Sequence, residues 1–296
     1  MSDKIKCIFC GLDKKSSVEH VFPDSLGGQL IIKNVCKECN DFLGEKVDFH
    51  LVDHPLMQFI RAKYSLAGKK GHIPNPFSKA YLKDDPTRAV KVRLDGRAPY
   101  LFPSVKKSST GDRLTISVDG SDRDKVPEIV NKALKRINRP EKTQPEIETI
   151  IPTVILDKPE IIVQLEADVN LFRKAILKII YEFASLVLGD EYFHDPMAKK
   201  IREYIISPSL DVEGLYGDAN IVNKKEPISP IIGELVIEEG YTAFIKQDGN
   251  TIFCYVNLFN QFEGTLVVTN NALRYKEFQE VFYSYNVVEK TTTKIN

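Results

Sequence analysis

Residues 7–40 read CIFCGLDKKSSVEHVFPDSLGGQLIIKNVCKECN, and the reading of this stretch decides the fold of the N-terminal part of the chain. Cys7-x-x-Cys10 and Cys36-x-x-Cys39 form two knuckles separated by 25 residues, enough chain for a hairpin that returns to close a tetrahedral site. Four thiolates in that arrangement suit structural zinc. A segment this short and polar has little other means of holding its shape, so metal binding and folding are expected to be one event. Between the knuckles, Ser17–Pro23 reads as a strand, Gly27-Gly28 as a loop and Gln29–Val35 as a second strand. Asn40 follows the fourth cysteine at the start of a helix. The order is strand, loop, strand, helix, with zinc at the ends.

These residues carry a resemblance. Cys7-Ile8-Phe9-Cys10-Gly11, Glu19-His20-Val21-Phe22-Pro23, Gly27-Gly28 and Asn34-Val35-Cys36-Lys37-Glu38-Cys39-Asn40 resemble the His-Asn-His (HNH) endonuclease superfamily, in the branch whose ββα-metal core is clamped by four cysteines. The resemblance covers about forty-five residues and implies one catalytic divalent ion, magnesium or manganese. Carried to the matching positions, it makes Glu19 and Asn40 the ligands of that ion, His20 the general base and Asn34 an orienting residue. The basic residue that the family often places three positions after the helix asparagine is Leu43 here. Phosphate contact therefore falls to Lys46 or to the basic stretch further on, with Lys69 and Lys70 in it.

The chemistry suits the residue types. Phosphodiester hydrolysis needs a water deprotonated near neutral pH, which an imidazole of ordinary pKa, about 6.5, can do, and a hard cation to neutralise charge on the leaving oxygen. Carboxylate and amide oxygens suit such a cation, and magnesium leaves most of its shell to water and phosphate. His50, Asp53 and His54 offer a second cluster on the helix, but Pro55 speaks against it by ending the helix there.

Working outward, the helix that begins near Lys37 is expected to reach Tyr64 with a break at His54-Pro55. The Gly- and Pro-containing run from Gly68 to Phe77 reads as a boundary, giving a nuclease module over residues 1–70 and an α+β domain over 71–296. Ala89–Arg93 and Leu114–Val118 alternate like half-buried strands, Val126–Ile137 has helical periodicity, and Ile147–Leu165 reads as β-rich. Val169–Leu188 is a strongly apolar helix, with Leu171, Ala175, Ile176, Ile179, Ile180, Phe183 and Leu186 on one broad face. A shorter helix follows at Pro196–Ile206. Glu234–Val268 looks like a meander with a tight turn at Asp248-Gly249, and Cys254 within it reads as a small buried hydrophobe. The fold class is α+β: a small ββα-metal zinc module followed by a larger mixed domain with an antiparallel sheet.

The 296 residues are 43% hydrophobic and 28% charged, which is globular and far from the disordered class. Lys+Arg and Asp+Glu balance at 41 each, so any nucleic-acid site must come from local charge. The sharpest excess runs from Arg61 to Arg93: Arg61, Lys63, Lys69, Lys70, Lys79, Lys83, Arg88, Lys91 and Arg93 face Asp84 and Asp85 alone. No stretch has the length of a membrane span or the apolar core of a signal peptide, and five cysteines without an export signal argue against a disulfide framework. The reading is a cytoplasmic protein. The leading function is a metal-dependent DNA endonuclease whose larger remainder selects the target, assembles a homo-oligomer or controls activity. Such modules joined to an unfamiliar domain resemble bacterial restriction and anti-phage defence effectors. Two alternatives stay open: a non-catalytic zinc-ribbon nucleic-acid-binding protein, and an RNA-cutting enzyme with the same site.

Overall fold

The computed structural model describes residues 4–68, 71–93, 95–108, 114–142, 159–207, 217–221 and 236–295. Strands β1 (Lys4–Lys6), β2 (Asp13–His20) and β3 (Ile31–Cys36) form an antiparallel sheet in that order. Ser17 pairs with Val35 and Glu19 with Ile32, so Lys33 and Asn34 together stand opposite Val18. This bulge in β3 sharpens the local twist where β2 ends on Glu19 and His20. Gly27 has φ +80°, and a side chain at Gly28 would drive into the Phe22 carbonyl, 1.8 Å from an ideal Cβ. The Gly-Gly loop is thus required sterically to bring β3 back beside β2.

The chain then enters α1 (Lys37–Leu43), a π-helical turn at Gly44–Asp48, α2 (Phe49–Val52) and, after a break at Asp53-His54, α3 (Pro55–Lys63). The single kinked helix expected over Lys37–Tyr64 is therefore interrupted twice. Proline explains the second interruption, since Pro55 is tolerated only in a first turn. The wide turn explains the first.

Residues Asn75–Leu165 form a compact unit of their own. It holds β4 (Ala80–Leu82), β5 (Ala89–Lys91), β6 (Tyr100–Leu101), β7 (Ser104–Lys107), β8 (Leu114–Ser117), α4 (Val126–Arg136) and β9 (Ile161–Ile162), with a sheet ordered β6-β5-β4-β9 and a β7-β8 hairpin. Asp119 ties this unit together by accepting from the backbone N–H of Leu101 and of Ser121, each at 2.9 Å. The strands expected at 89–93 and 114–118 and the helix at 126–137 are present. Of the expected β-rich stretch 147–165, only β9 falls in described residues, and 147–158 lie outside them.

The rest of the chain supplies α5 (Val169–Leu188), α6 (Pro196–Ile206), β10 (Gly217–Ile221), β11 (Gly240–Asp248), β12 (Thr251–Leu258), β13 (Phe262–Thr269), β14 (Val281–Asn286) and β15 (Thr291–Ile295). Asp168 starts α5 by accepting from the N–H groups of Asn170 and Leu171, each at 3.0 Å. Asp195 caps α6 in the same way through Met197 N–H at 2.8 Å, followed by Pro196 in the first turn. The strands make one antiparallel sheet ordered β10-β13-β12-β11-β14-β15. The β11-β12 loop is Gly249-Asn250, one residue later than expected, because Asp248 still pairs with Thr251. Cys254 is buried in β12, as its apolar neighbours implied.

Helix α5 lies against this sheet so closely that a Cβ on Gly264 would sit 2.4 Å from Ile176 Cγ2. It is buried nearly all round rather than on one face, and Leu186, expected inside, is 44% exposed. The same helix meets the N-terminal module: the Tyr181 and Phe9 rings are 5.2 Å apart. Tyr241 of β11 stacks on Phe22 at 4.0 Å. One apolar core therefore runs from the cysteine knuckles through α5 into the six-stranded sheet. Packing divides the chain into Met1–Pro74 with Glu166–Asn296 as one unit and Asn75–Leu165 as the other. That division differs from the expected 1–70 and 71–296, and the reason is physical. Val21, Phe22, Leu26 and Leu51 are all wholly buried, and a module of seventy residues with three short strands has too little apolar volume to bury them alone. Among the described residues no helix is long and apolar enough to cross a membrane.

A fragment of residues 1–74 should consequently bind zinc but fail to unfold cooperatively. Urea titration followed by fluorescence of a hydrophobic dye would show this, with strong dye binding by the fragment and little by the full chain.

Candidate active site

The four thiols come together where β1 and β3 end. Gly11 N–H donates to the Cys7 carbonyl at 2.8 Å and closes the first knuckle, while Cys36 N–H donates to Cys7 Sγ at 3.4 Å and joins it to the second. All four Sγ atoms lie within 4.8 Å of one another, and Cys10 Sγ and Cys36 Sγ are 3.9 Å apart. Zn–S bonds of about 2.3 Å place tetrahedral sulfurs about 3.8 Å from each other, whereas a disulfide needs about 2.05 Å. The donor set therefore fits zinc. Burial, and then the neighbouring Cys7, push the Cys39 thiol up, and a bound cation relieves that penalty on the thiolate.

Beside this clamp, β2 alternates. Val18 faces out, Glu19 is buried at 4% exposure, and His20 is partly exposed at the strand end, opposite Ile31. His20 Nε2 is 4.0 Å from Asp24 Oδ1, which stands at the head of the turn after Pro23. Asn40, one turn into α1, donates from Nδ2 to the Val18 carbonyl at 2.7 Å and to Ser17 Oγ at 3.2 Å. Both donors of the amide are committed to β2, so Oδ1 is the atom that Asn40 offers to a cation.

Glu19 turns inward. Its Oε1 is 2.6 Å from Nζ of Lys178, on α5. The same ammonium donates to the His20 carbonyl at 2.8 Å and lies 3.1 Å from Glu182 Oε2 and 3.3 Å from Asp48 Oδ2. Lys178 and Glu182 are both fully buried. Burial works against the charge on Lys178, but Asp48, Glu182 and Glu19 outweigh it and hold its pKa above the ordinary lysine value. Burial pushes the Glu182 carboxyl well above the usual range; Lys178 offsets this in part, and the other two carboxylates add to it. Within the cluster, Glu182 is the carboxyl that burial holds most toward its neutral form.

Other anticipated residues are not gathered here. Asn34 sits in the β3 bulge, where its backbone carbonyl accepts from Ile8 N–H at 3.0 Å and its side-chain Oδ1 is buried without a hydrogen-bond partner among the described residues. Lys46 is exposed on the π-helical turn. Lys69 and Lys70 lie outside the described residues. The basic run divides between the two units. Arg61 is buried and donates from Nε to the Ser25 carbonyl at 3.1 Å, while Lys83 pairs with Glu160 and Arg93 with Asp119. His54 packs against Phe172 and Phe262, and burial lowers its pKa, so it does not join His50 and Asp53. Among the described residues, the four cysteines are the one group of three or more His, Cys, Asp or Glu side chains close enough to share an ion. A hard cation at Glu19 and Asn40 would accordingly take most of its shell from water and phosphate.

Residues 7–56 match the family model of the HNH endonucleases. The match takes in both cysteine knuckles, Glu19, His20, Asn40 and Asp48, and it ends far before Lys178 and Glu182. The expected resemblance is therefore established over the N-terminal module. No curated protein and no solved structure matches the chain.

Metal analysis should find about one zinc per chain, and Cys36→Ser should lower zinc content and loosen the module, since Cys36 is wholly buried between the knuckles. The cluster makes a second prediction. Glu182 gives up its proton at a higher pH when folded than when unfolded, where it ionises above about pH 4.5. Folding therefore takes up a proton, and its contribution to stability falls as pH rises above that value by at most about 1.4 kcal/mol per unit. Urea denaturation between pH 5 and 7 should show a shallower pH dependence in Glu182→Gln than in the wild type.

Proposed function

We propose that the chain is a metal-dependent endonuclease that hydrolyses phosphodiester bonds in DNA, with zinc as its structural ion and magnesium or manganese as its catalytic one. The observation that carries this reading is the placement of Glu19 and His20 at the end of β2, with Asn40 held across that strand by the Val18 carbonyl.

In this reading Glu19 and Asn40 hold the divalent ion, which when bound neutralises charge on the leaving oxygen. His20 takes the proton of the attacking water, with Asp24 Oδ1 4.0 Å from its ring nitrogen. The Lys178 contact to the His20 carbonyl fixes the backbone beneath the ring. Lys46, Lys69 and Lys70 supply phosphate contacts, so substrate binding weakens with salt. The substrate is taken to be DNA and the setting to be restriction of foreign DNA, on the strength of the resemblance.

One observation favours a second reading. The bridge from Glu19 to Lys178 gives the carboxylate a structural reason to exist, as in a zinc-ribbon binding protein without catalysis. His20 separates the two, because it has no comparable bond in the core. Plasmid, single-stranded DNA and RNA should be incubated with the protein with and without Mg²⁺ or Mn²⁺. We expect metal-dependent cutting of DNA that falls on the order of a hundredfold or more in His20→Ala, with zinc and nucleic-acid affinity retained. Glu19→Ala should also stop cutting and be partly rescued by excess Mn²⁺, which should not rescue His20→Ala. Equal binding with no cleavage by the wild type under any metal condition would establish the binding-protein reading, and cutting confined to RNA would replace the DNA substrate.

A further inference from the structure

The residue that touches both Glu19 and His20 lies outside the part of the chain that matches the nuclease family. We propose that Lys178 is a positioning residue of the candidate catalytic centre: its buried ammonium holds the Glu19 carboxylate and the His20 backbone in place, so that α5 completes a cation site that residues 7–56 begin. This rests on the nuclease reading above and adds to it a residue 158 positions along the chain from His20.

The geometry gives four reasons. An ammonium has three N–H donors, and Lys178 Nζ donates to the His20 carbonyl and Asp48 Oδ2 and lies 2.6 Å from Glu19 Oε1, with Glu182 Oε2 also close at 3.1 Å. Those partners belong to three elements: β2 with Glu19 and His20, the wide helical turn with Asp48, and α5 itself with Glu182. Asp48 is part of the same helical run as Asn40, so one charge fixes the relation of Asn40's helix to Glu19's strand. Finally, Lys178 is sealed from solvent, its side chain 0% exposed, which removes the screening and fraying that make surface ion pairs weak.

Such a contact acts on a cation site through its ligand. A free glutamate has three rotatable bonds, and an anchored one is already in its rotamer when the ion arrives. Partners that orient a ligating carboxylate typically change metal affinity 10–100-fold when removed. Two rival roles predict otherwise. If Lys178 instead occupies Glu19 in competition with the ion, its removal should tighten metal binding. If it merely fastens α5 to the module, its removal should disturb the module as a whole.

The test uses full-length, zinc-loaded protein and Mn²⁺ as probe, with free and bound Mn²⁺ read by electron paramagnetic resonance. Wild type should bind Mn²⁺ with an affinity that Glu19→Gln lowers. Lys178→Met should weaken that affinity by about tenfold or more, while the visible spectrum of Co²⁺ substituted at the four cysteines and metal-free nucleic-acid affinity stay as in wild type. Should Lys178→Met leave a carboxyl too poorly accommodated to fold, Lys178→Met with Glu182→Leu replaces the i, i+4 pair by apolar side chains and carries the same expectation. Unchanged or tighter Mn²⁺ binding would overturn the proposal, as would a loss matched by a changed cobalt spectrum or by no Mn²⁺ binding in the wild type. Mn²⁺ binding that depends on Glu19 and Lys178 without cleavage of any nucleic acid would support the positioning role and sink the nuclease reading instead.

Discussion

A buried ammonium surrounded by three carboxyl groups is the constraint on which this structure turns. Taking a lysine out of water is strongly unfavourable unless its partners are close and well directed. Here Lys178 meets Glu19 at 2.6 Å, Glu182 at 3.1 Å and Asp48 at 3.3 Å. None of the four can move far without leaving a buried polar group stranded, so α5, β2 and the wide helical turn are locked together. The apolar packing follows the same lines: Tyr181, one turn's distance along α5, donates its hydroxyl to the Ile8 carbonyl of the first knuckle at 2.5 Å. On the opposite side α5 approaches β13 at a position where only a glycine fits. A helix buried nearly all round serves as the axis of the whole discontinuous unit.

Elements governed by local rules were readable from the sequence. The four cysteines converge as their spacing implied, and α5 and α6 have the limits that Asp168, Asp195 and Pro196 set for them. The hairpin at Gly249 is displaced by one residue only. What depends on distant packing was not readable. Nothing near Glu19 in sequence announces that its partner is 159 residues downstream at Lys178, and the division of the chain follows from the core, whose members come from both ends. A signal for the missing residues did exist. Lys178 and Glu182 are an i, i+4 pair of ionisable side chains flanked by Leu177, Ile179, Ile180 and Phe183, an apolar setting where such groups persist only if partnered.

The candidate site was legible in its residue types and less so in their roles. His20 ends β2 and Asn40 lies in α1, with the Asn40 amide oriented by β2. Asn34 falls in the β3 bulge, with its backbone carbonyl bonded to the first knuckle. Arg61 likewise leaves the basic run to brace the Gly-Gly loop through Ser25. A side chain counted with the basic run was claimed by a backbone carbonyl, which sequence spacing cannot reveal.

The distance in sequence between Glu19 and Lys178 also bears on how the protein is made. Synthesis proceeds from the N-terminus at about 5–20 residues per second, so a nascent chain displays the cysteines, Glu19, His20 and Asn40 many seconds before α5 leaves the ribosome. During that interval the knuckles can take up metal, yet the counter-charge for Glu19 does not exist and the core that covers Phe22 is missing. Contacts of such long range form last because closing the loop between them is entropically unfavourable until the remainder has folded. The Glu19 side of the site would thus stay unassembled while the N-terminal module alone has emerged, and gain its partner only once α5 follows.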